Sequence, residues 1–347
     1  MCHIAGYAGT KQAAPLLLEM LKKQEFYDGN VCTGIATIHN GRIYYRKVVG
    51  DVETLINTTD ALYLPGTIGL AHTRPGGDPK SYNLAHPYVT MDEKMAAIAN
   101  GTQSGPNYCE IAQKVTTMLE DDGYGFRDNV FGKNSQLPHL KDGSYINSTS
   151  TRLVLTEKYI KEGLSISAAL ARANEELFSD VVFSVLNVAT PDRFYVIRTT
   201  RPALSLKTDD GVYVTTSRFG FPEELQDKAE MLPLFSSCEI TKDNVIVSNE
   251  RMNPCDKVAD VTEYTIEEGY KRISDLLKGK KDAPLHFDDL ELAVGQNMRD
   301  IFEGNHYLVQ DARLVYDVLY RLEKEGLLRR ELRRVSDRRQ RWFMWID

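Results

Sequence analysis

The sequence predicts an α+β protein in two units: a mixed unit over the first two-thirds, then a small unit of helix and hairpin. Three observations carry this reading. Strand-like and helix-like runs interleave from the start of the chain to about residue 216. The composition shifts after about residue 255, and Lys278-Gly279-Lys280-Lys281-Asp282-Ala283-Pro284 has the make-up of a linker. Beyond it, one amphipathic helix is followed by two strands. A chain of 347 residues has room for about two ordinary domains. The expected boundaries are 2–255 for the first unit, 256–284 for a helical linker and 285–347 for the last.

Taken in order, Pro15 can open a helix, and Leu17, Leu18 and Leu21 recur at helical spacing. Thr33 to Ile38 and Arg42 to Lys47 are strand-like and flank the turn signal His39-Asn40-Gly41. Thr67 to His72 and Met95 to Ala99 predict short strands. Residues 104–143, rich in Gly, Asn, Asp and Pro, predict helix plus loop. Ser165 caps a helix running to Phe178. Val181 to Val188, Phe194 to Arg198 and Val212 to Thr216 are strand-like, and Glu267 to Leu277 is a charged helix.

Composition excludes several classes. The hydrophobic fraction is 42% and the charged fraction 26%, values of a globular chain rather than a disordered or fibrous one. No apolar run approaches the ~20 residues that span a bilayer, and no signal-peptide pattern opens the chain. A cytoplasmic protein without membrane contact is expected. The net charge of -7 excludes a basic footprint over the whole chain. Five scattered cysteines with no C-x-x-C spacing argue against a disulfide framework and against structural zinc. Neither metal nor cofactor is expected.

The chemistry-bearing residues begin at Cys2. Removal of Met1 would leave a thiol and a free α-amine on one residue. An α-amine has a pKa of about 7.7–8.0, so nucleophile and base would share that residue. Gly69-Leu70-Ala71-His72-Thr73-Arg74 is a strand ending in a cation suited to clamping a carboxylate. Ala97-Ile98-Ala99-Asn100-Gly101 ends in an Asn side-chain amide beside a Gly backbone N–H, a pair of oxyanion donors. Taken singly, Asn100-Gly101 reads as a hairpin turn and Arg74 as a surface cation. Their order behind Cys2 favours a site.

Together these blocks resemble the class II glutamine amidotransferase domain of the N-terminal-nucleophile hydrolases, in particular the glutaminase half of glucosamine-6-phosphate synthases. The likeness rests on Cys2-His3-Ile4-Ala5-Gly6-Tyr7, the helix Leu16 to Glu25 with Tyr27-Asp28 and Gly34-Ile35-Ala36, Gly69 to Arg74, His86-Pro87 and Asn100-Gly101. Phe183 to Ser217 fits the second half of the domain. The resemblance implies a four-layer αββα sandwich and hydrolysis of a glutamine-type amide. It makes Cys2 the nucleophile, Asn100 and Gly101 the oxyanion donors, and Arg74, His86, Gly76, Gly77 and Ser150 the substrate-binding residues. Ammonia would pass to an acceptor on another chain, and a homo-oligomer is expected.

The departures bear on substrate. His3 follows the nucleophile where the family has Gly, and Pro75-Gly76-Gly77 follows Arg74 in place of Trp, Thr and His. Ala99 precedes Asn100 where the family has His. Tyr27 to Gly34 is a degraded form of its block. Asn147-Ser148-Thr149-Ser150-Thr151-Arg152 puts Ser150 where the family's ammonium-pairing Asp stands. Weak glutamine binding, substitution by an acid such as Asp78, or a different substrate each follow. No acceptor domain is recognisable in the remaining residues.

In the last unit, Val315, Val318, Leu319 and Leu322 form the stripe of a helix closed by Gly326. A basic hairpin follows, Leu327 to Val335 and Gln340 to Ile346. This order resembles a winged-helix domain. Seven arginines and two acids lie between Arg329 and Arg341, which suits DNA phosphates. Residues 285–347 hold 11 basic and 12 acidic residues, which suits a protein-docking face equally. Two functions therefore compete: an amidohydrolase with an N-terminal cysteine, or a catalytically weak sensor joined to a winged helix that binds DNA or protein.

Overall fold

The computed structural model describes residues 2–75, 82–101, 107–253, 258–304, 308–336 and 339–347. Two antiparallel sheets form its centre. In the first, the strands lie in the order Glu230–Met231, Leu204–Thr208, Gly211–Thr215, His3–Gly9, Ile68–Arg74, Cys32–His39 and Arg42–Val49. In the second, the order is Val245–Arg251, Ser236–Thr241, Arg193–Arg198, Val181–Asn187, Met95–Gly101 and Tyr88–Val89.

The period of two along each strand sorts its side chains between two cores. Ile4 and Ala8 pack with Leu70, Ala96, Ile98, Leu186 and Phe194 in the core between the sheets. Ala5 and Tyr7 face the other way, against Leu17, Leu18 and Leu21 of the helix Ala13–Asp28. On the far side, Ala97, Ala99 and Phe183 pack against Leu153 and Leu170. Those two leucines belong to the helices Ser148–Lys161 and Ile166–Glu176. The layers are helix, sheet, sheet, helix. Ser165 caps the second of these helices, accepting from the N–H of Ala168.

After residue 258 come the helices Glu263–Leu277, Phe287–Asn297 and Asp311–Lys324 and the hairpin Leu328–Ser336/Arg339–Ile346. Leu285 bridges to Met344 through two backbone hydrogen bonds, at 3.0 and 2.7 Å. Gly326, at φ +70°, turns the chain out of the last helix. The segment 256–284 was expected to be a linker, but its helix buries Ile273 and Leu277 with Leu290, Val315 and Leu319. It packs with the residues that follow it. Tyr27 and Phe219 of the first unit belong to the same cluster, so one apolar core crosses between the two parts.

Polar contacts reinforce that junction. Asp28 is 1% exposed, and its Oδ1 accepts from Arg339 and, at 2.5 Å, from Arg341. Arg341 also pairs with Asp288 at 2.7 Å, and Arg330 donates to the Tyr27 hydroxyl at 2.5 Å. Three arginines of the basic hairpin are thus spent inside the chain. Arg338 lies outside the described residues.

Removing one partner of a buried ion pair strands the other charges, at a cost of about 3–5 kcal/mol. Asp28→Asn is therefore expected to lower the unfolding free energy by about that amount in urea titrations. A loss below about 1 kcal/mol, the level of a surface pair, would show that these arginines do not hold the junction.

Candidate functional site

Antiparallel register places the ends of separate strands together. His3 pairs with Thr73, so the chain start lies beside the end of the Ile68–Arg74 strand. From the facing sheet, Asn100 and Gly101 end the Met95–Gly101 strand, opposite Val182 and Val181. A cavity of about 280 Å³ opens at this junction, and Cys2, Arg74, His86, Gly101, Thr149 and Arg152 are among the residues lining it.

Asn100 is fully buried, and its Oδ1 accepts from the Cys2 nitrogen at 3.1 Å. Its Nδ2 is buried and has no hydrogen-bond partner among the described residues. An unpaired buried donor is costly, so this one is poised for an acceptor that arrives from outside. Gly101 permits the close approach: a Cβ there would stand 2.1 Å from the carbonyl oxygen of Asp180. Arg74 donates from Nη1 to the Leu84 carbonyl at 2.8 Å.

His86 is buried, with Nε2 at 3.2 Å from Thr149 Oγ1 and its ring tilted by 41° against that of His72, 3.9 Å away between centroids. Burial holds His3 and His86 neutral, well below the ordinary histidine range, and pushes His72 down to about 3. Burial also raises the Cys2 thiol, against the pull of Arg74 and Arg201. A protonated thiol among neutral imidazoles needs a base from elsewhere. Behind Cys2, His3 Nε2 accepts from the Asp28 N–H at 3.2 Å, and its Nδ1 lies 3.5 Å from the Tyr316 hydroxyl of the C-terminal part.

Of the residues singled out in the sequence, Cys2, Arg74, His86, Asn100 and Gly101 converge here. Ser150 does not line the cavity. It is 4% exposed in the first turn of the Ser148–Lys161 helix, and Ser148 and Thr149 of that turn line the cavity instead. Gly76, Gly77 and Asp78 lie outside the described residues. Sequence reasoning passed over Arg152, although it stands in the quoted run Asn147–Arg152. Its position facing the cavity depends on helix phase, which that run does not display. Among the described residues no group of three or more His, Cys, Asp or Glu side chains could hold a metal ion, and no helix is long and apolar enough to cross a membrane.

No protein-family model matches the chain. It is 38% identical over 128 residues to the glutamine–fructose-6-phosphate aminotransferase (isomerizing) of Caldanaerobacter subterraneus, a match covering 36% of this chain and 20% of that protein. The namesake from Chlorobaculum tepidum is 27% identical over 334 residues, covering 93% of this chain and 48% of that protein. The chain thus spans less than half the length of these curated relatives. Among solved structures it is similar to the glutamine phosphoribosylpyrophosphate amidotransferase of B. subtilis, with a TM-score of 0.58 at 13% identity, covering 97% of this chain and 68% of that one. An allosteric regulatory enzyme of purine biosynthesis gives a TM-score of 0.59 at 14% identity, covering 97% of this chain and 67% of that one. The fold is that of glutamine amidotransferases of this kind.

A Cβ at residue 101 must push the strand end away from Asp180. Gly101→Ala is expected to cost about 1–3 kcal/mol of stability, as overpacking does. Thermal and urea unfolding check this, and an unchanged midpoint would mean that the strand end yields freely.

Proposed function

We propose that the chain is an amidohydrolase of the class II glutamine amidotransferase type, which releases ammonia from a glutamine-type amide. The observation that carries this is the contact of the Cys2 nitrogen with Asn100 Oδ1, with the unpaired Asn100 Nδ2 beside it. In the mature protein Met1 is removed and the Cys2 nitrogen becomes an amine. The amine takes the thiol proton as Sγ attacks the carboxamide carbon. The carbonyl electrons move to oxygen, where Asn100 Nδ2 and the Gly101 N–H stabilise the oxyanion. The amine then protonates the leaving nitrogen, and ammonia departs from a Cys2 thioester. Water adds to the thioester, its proton returns through the amine to Sγ, and a carboxylate leaves. Arg74 holds the substrate's distal carboxylate, with His86 and Thr149 shaping the wall. The named relatives support an ammonia acceptor, which we assign to a separate protein.

Helix, bridging residue, two helices and hairpin follow one another after residue 258, which supports a winged-helix-like reading of that part. Its hairpin arginines favour docking over DNA: Arg330, Arg339 and Arg341 bond residues of the first unit. Arg329 and Arg333 pair with Asp347 and Glu331 at the surface. The competing DNA-binding sensor makes a distinct prediction. If the hairpin took up phosphates, affinity of the full chain for duplex DNA would fall with salt, with a log–log slope of about -0.9 per phosphate. We expect no binding in low-salt anisotropy titrations, and a measurable slope would revive the sensor.

The amidohydrolase itself is tested at Cys2. Mass spectrometry of the purified protein should show loss of Met1, a glutamine-analogue electrophile should add once, at Cys2, and Cys2→Ala should abolish ammonia release. Labelling at Cys32 or Cys109 instead would remove the nucleophile assignment.

A further inference from the structure

The cavity beside Cys2 is lined by two arginines and, among the described residues, by no residue with a carboxylate. Arg74 donates to the carbonyls of Leu84 and Pro75. Arg152 is 2% exposed. It donates to Asn174 Oδ1 at 2.6 Å, to the Leu177 carbonyl at 2.7 Å, to Ser179 Oγ at 3.0 Å and to the Tyr108 hydroxyl at 3.4 Å. Every one of these partners is neutral. Arg201, nearby and also buried, has Asp180 and Glu291 as counter-ions. Arg198 is likewise held by neutral groups, but it does not line this cavity. Arg152 does, together with the nucleophile and Arg74.

A buried cation with no counter-ion among the described residues favours an anion that reaches it. The same pair of cations opposes an ammonium group, which would be desolvated among like charges. The neutral His86 does not change that balance, and Ser150 brings no carboxylate to the helix turn that lines the wall. Resting on the amidohydrolase reading, we propose that the cavity takes an anionic ω-carboxamide without an ammonium group, the monoamide of a dicarboxylic acid. Its amide carbon meets Cys2 Sγ and its carboxylate meets the arginines. Free glutamine is then the poorer substrate. Hydrolysis releases ammonia and a dicarboxylate.

Two readouts on the full chain test this. The first is ammonia release from glutaramate, which is glutamine without its amine, against release from L-glutamine. The second needs no turnover: calorimetric binding of glutarate and of L-glutamate to the Cys2→Ala variant. We expect glutaramate to exceed glutamine in kcat/KM, and glutarate to bind more tightly than glutamate, each by at least about tenfold, the weight of one charge-assisted hydrogen bond. Equal or tighter glutamate binding, or binding of neither ligand, overturns the inference. Cys2-dependent hydrolysis with glutamine preferred would overturn it and leave the amidohydrolase standing. Glutarate preference without hydrolysis of either amide would support the anion site and remove the amidohydrolase.

Discussion

Everything at the site depends on how closely two sheets meet. The His3–Gly9 strand runs through the middle of one sheet and the Met95–Gly101 strand lies next to the edge of the other, and both are lined on their inner faces by alanine and aliphatic side chains. That packing brings the Cys2 nitrogen to 3.1 Å from Asn100 Oδ1, across 98 residues of sequence. The missing Cβ of Gly101 lets the strand end lie against Asp180. If the sheets stood further apart, the thiol and the cation, neighbours in one sheet, would lose the amide donor that the other sheet supplies.

The C-terminal part is bound into this arrangement. Tyr27, at the end of the first helix, stacks on Phe219 at 4.7 Å and meets Tyr316 edge-on, while Phe287 packs on Tyr316 at 4.4 Å. Asp28, one residue further along, takes the hairpin arginines and gives its N–H to His3. One helix end therefore touches both the hairpin and the residue next to the nucleophile. On the other side, Arg201 joins Asp180 to Glu291 of the C-terminal part, and burial pushes nearby Asp311 up to about 7. The basic stretch that resembled a nucleic-acid surface supplies the cations for buried Asp28.

The catalytic and binding halves of the site differ in what they share with the resemblance. Cys2, Asn100, Gly101 and Arg74, which the resemblance names for the amide and its carboxylate, converge at the cavity. The wall formed by the Ser148–Lys161 helix departs from it: Ser150 stands where the resemblance puts an Asp, and Arg152 lines the cavity. In the proposed reaction, the amide end and the distal end of the substrate would thus meet different elements, so one can change while the other stays.

Much of this was legible in one dimension. The strand pair around His39-Asn40-Gly41 is marked by its turn, and the helix capped by Ser165 and the amphipathic helix ending at Gly326 by one face in water and one in the core. The His3–Gly9 strand and the Ser148–Lys161 helix do not. All seven residues of the first are buried, as are most residues of the second, so neither shows an alternation of polar and apolar positions. Cys2, Arg74, Asn100 and Gly101 could be chosen because a strand end bearing a reactive group is a local pattern. Arg152 could not, and neither could the pairing of Arg339 and Arg341 with Asp28. Residue types and their local periods are written along the chain, whereas which buried charge meets which counter-charge depends on distances that arise only when sheets and helices pack.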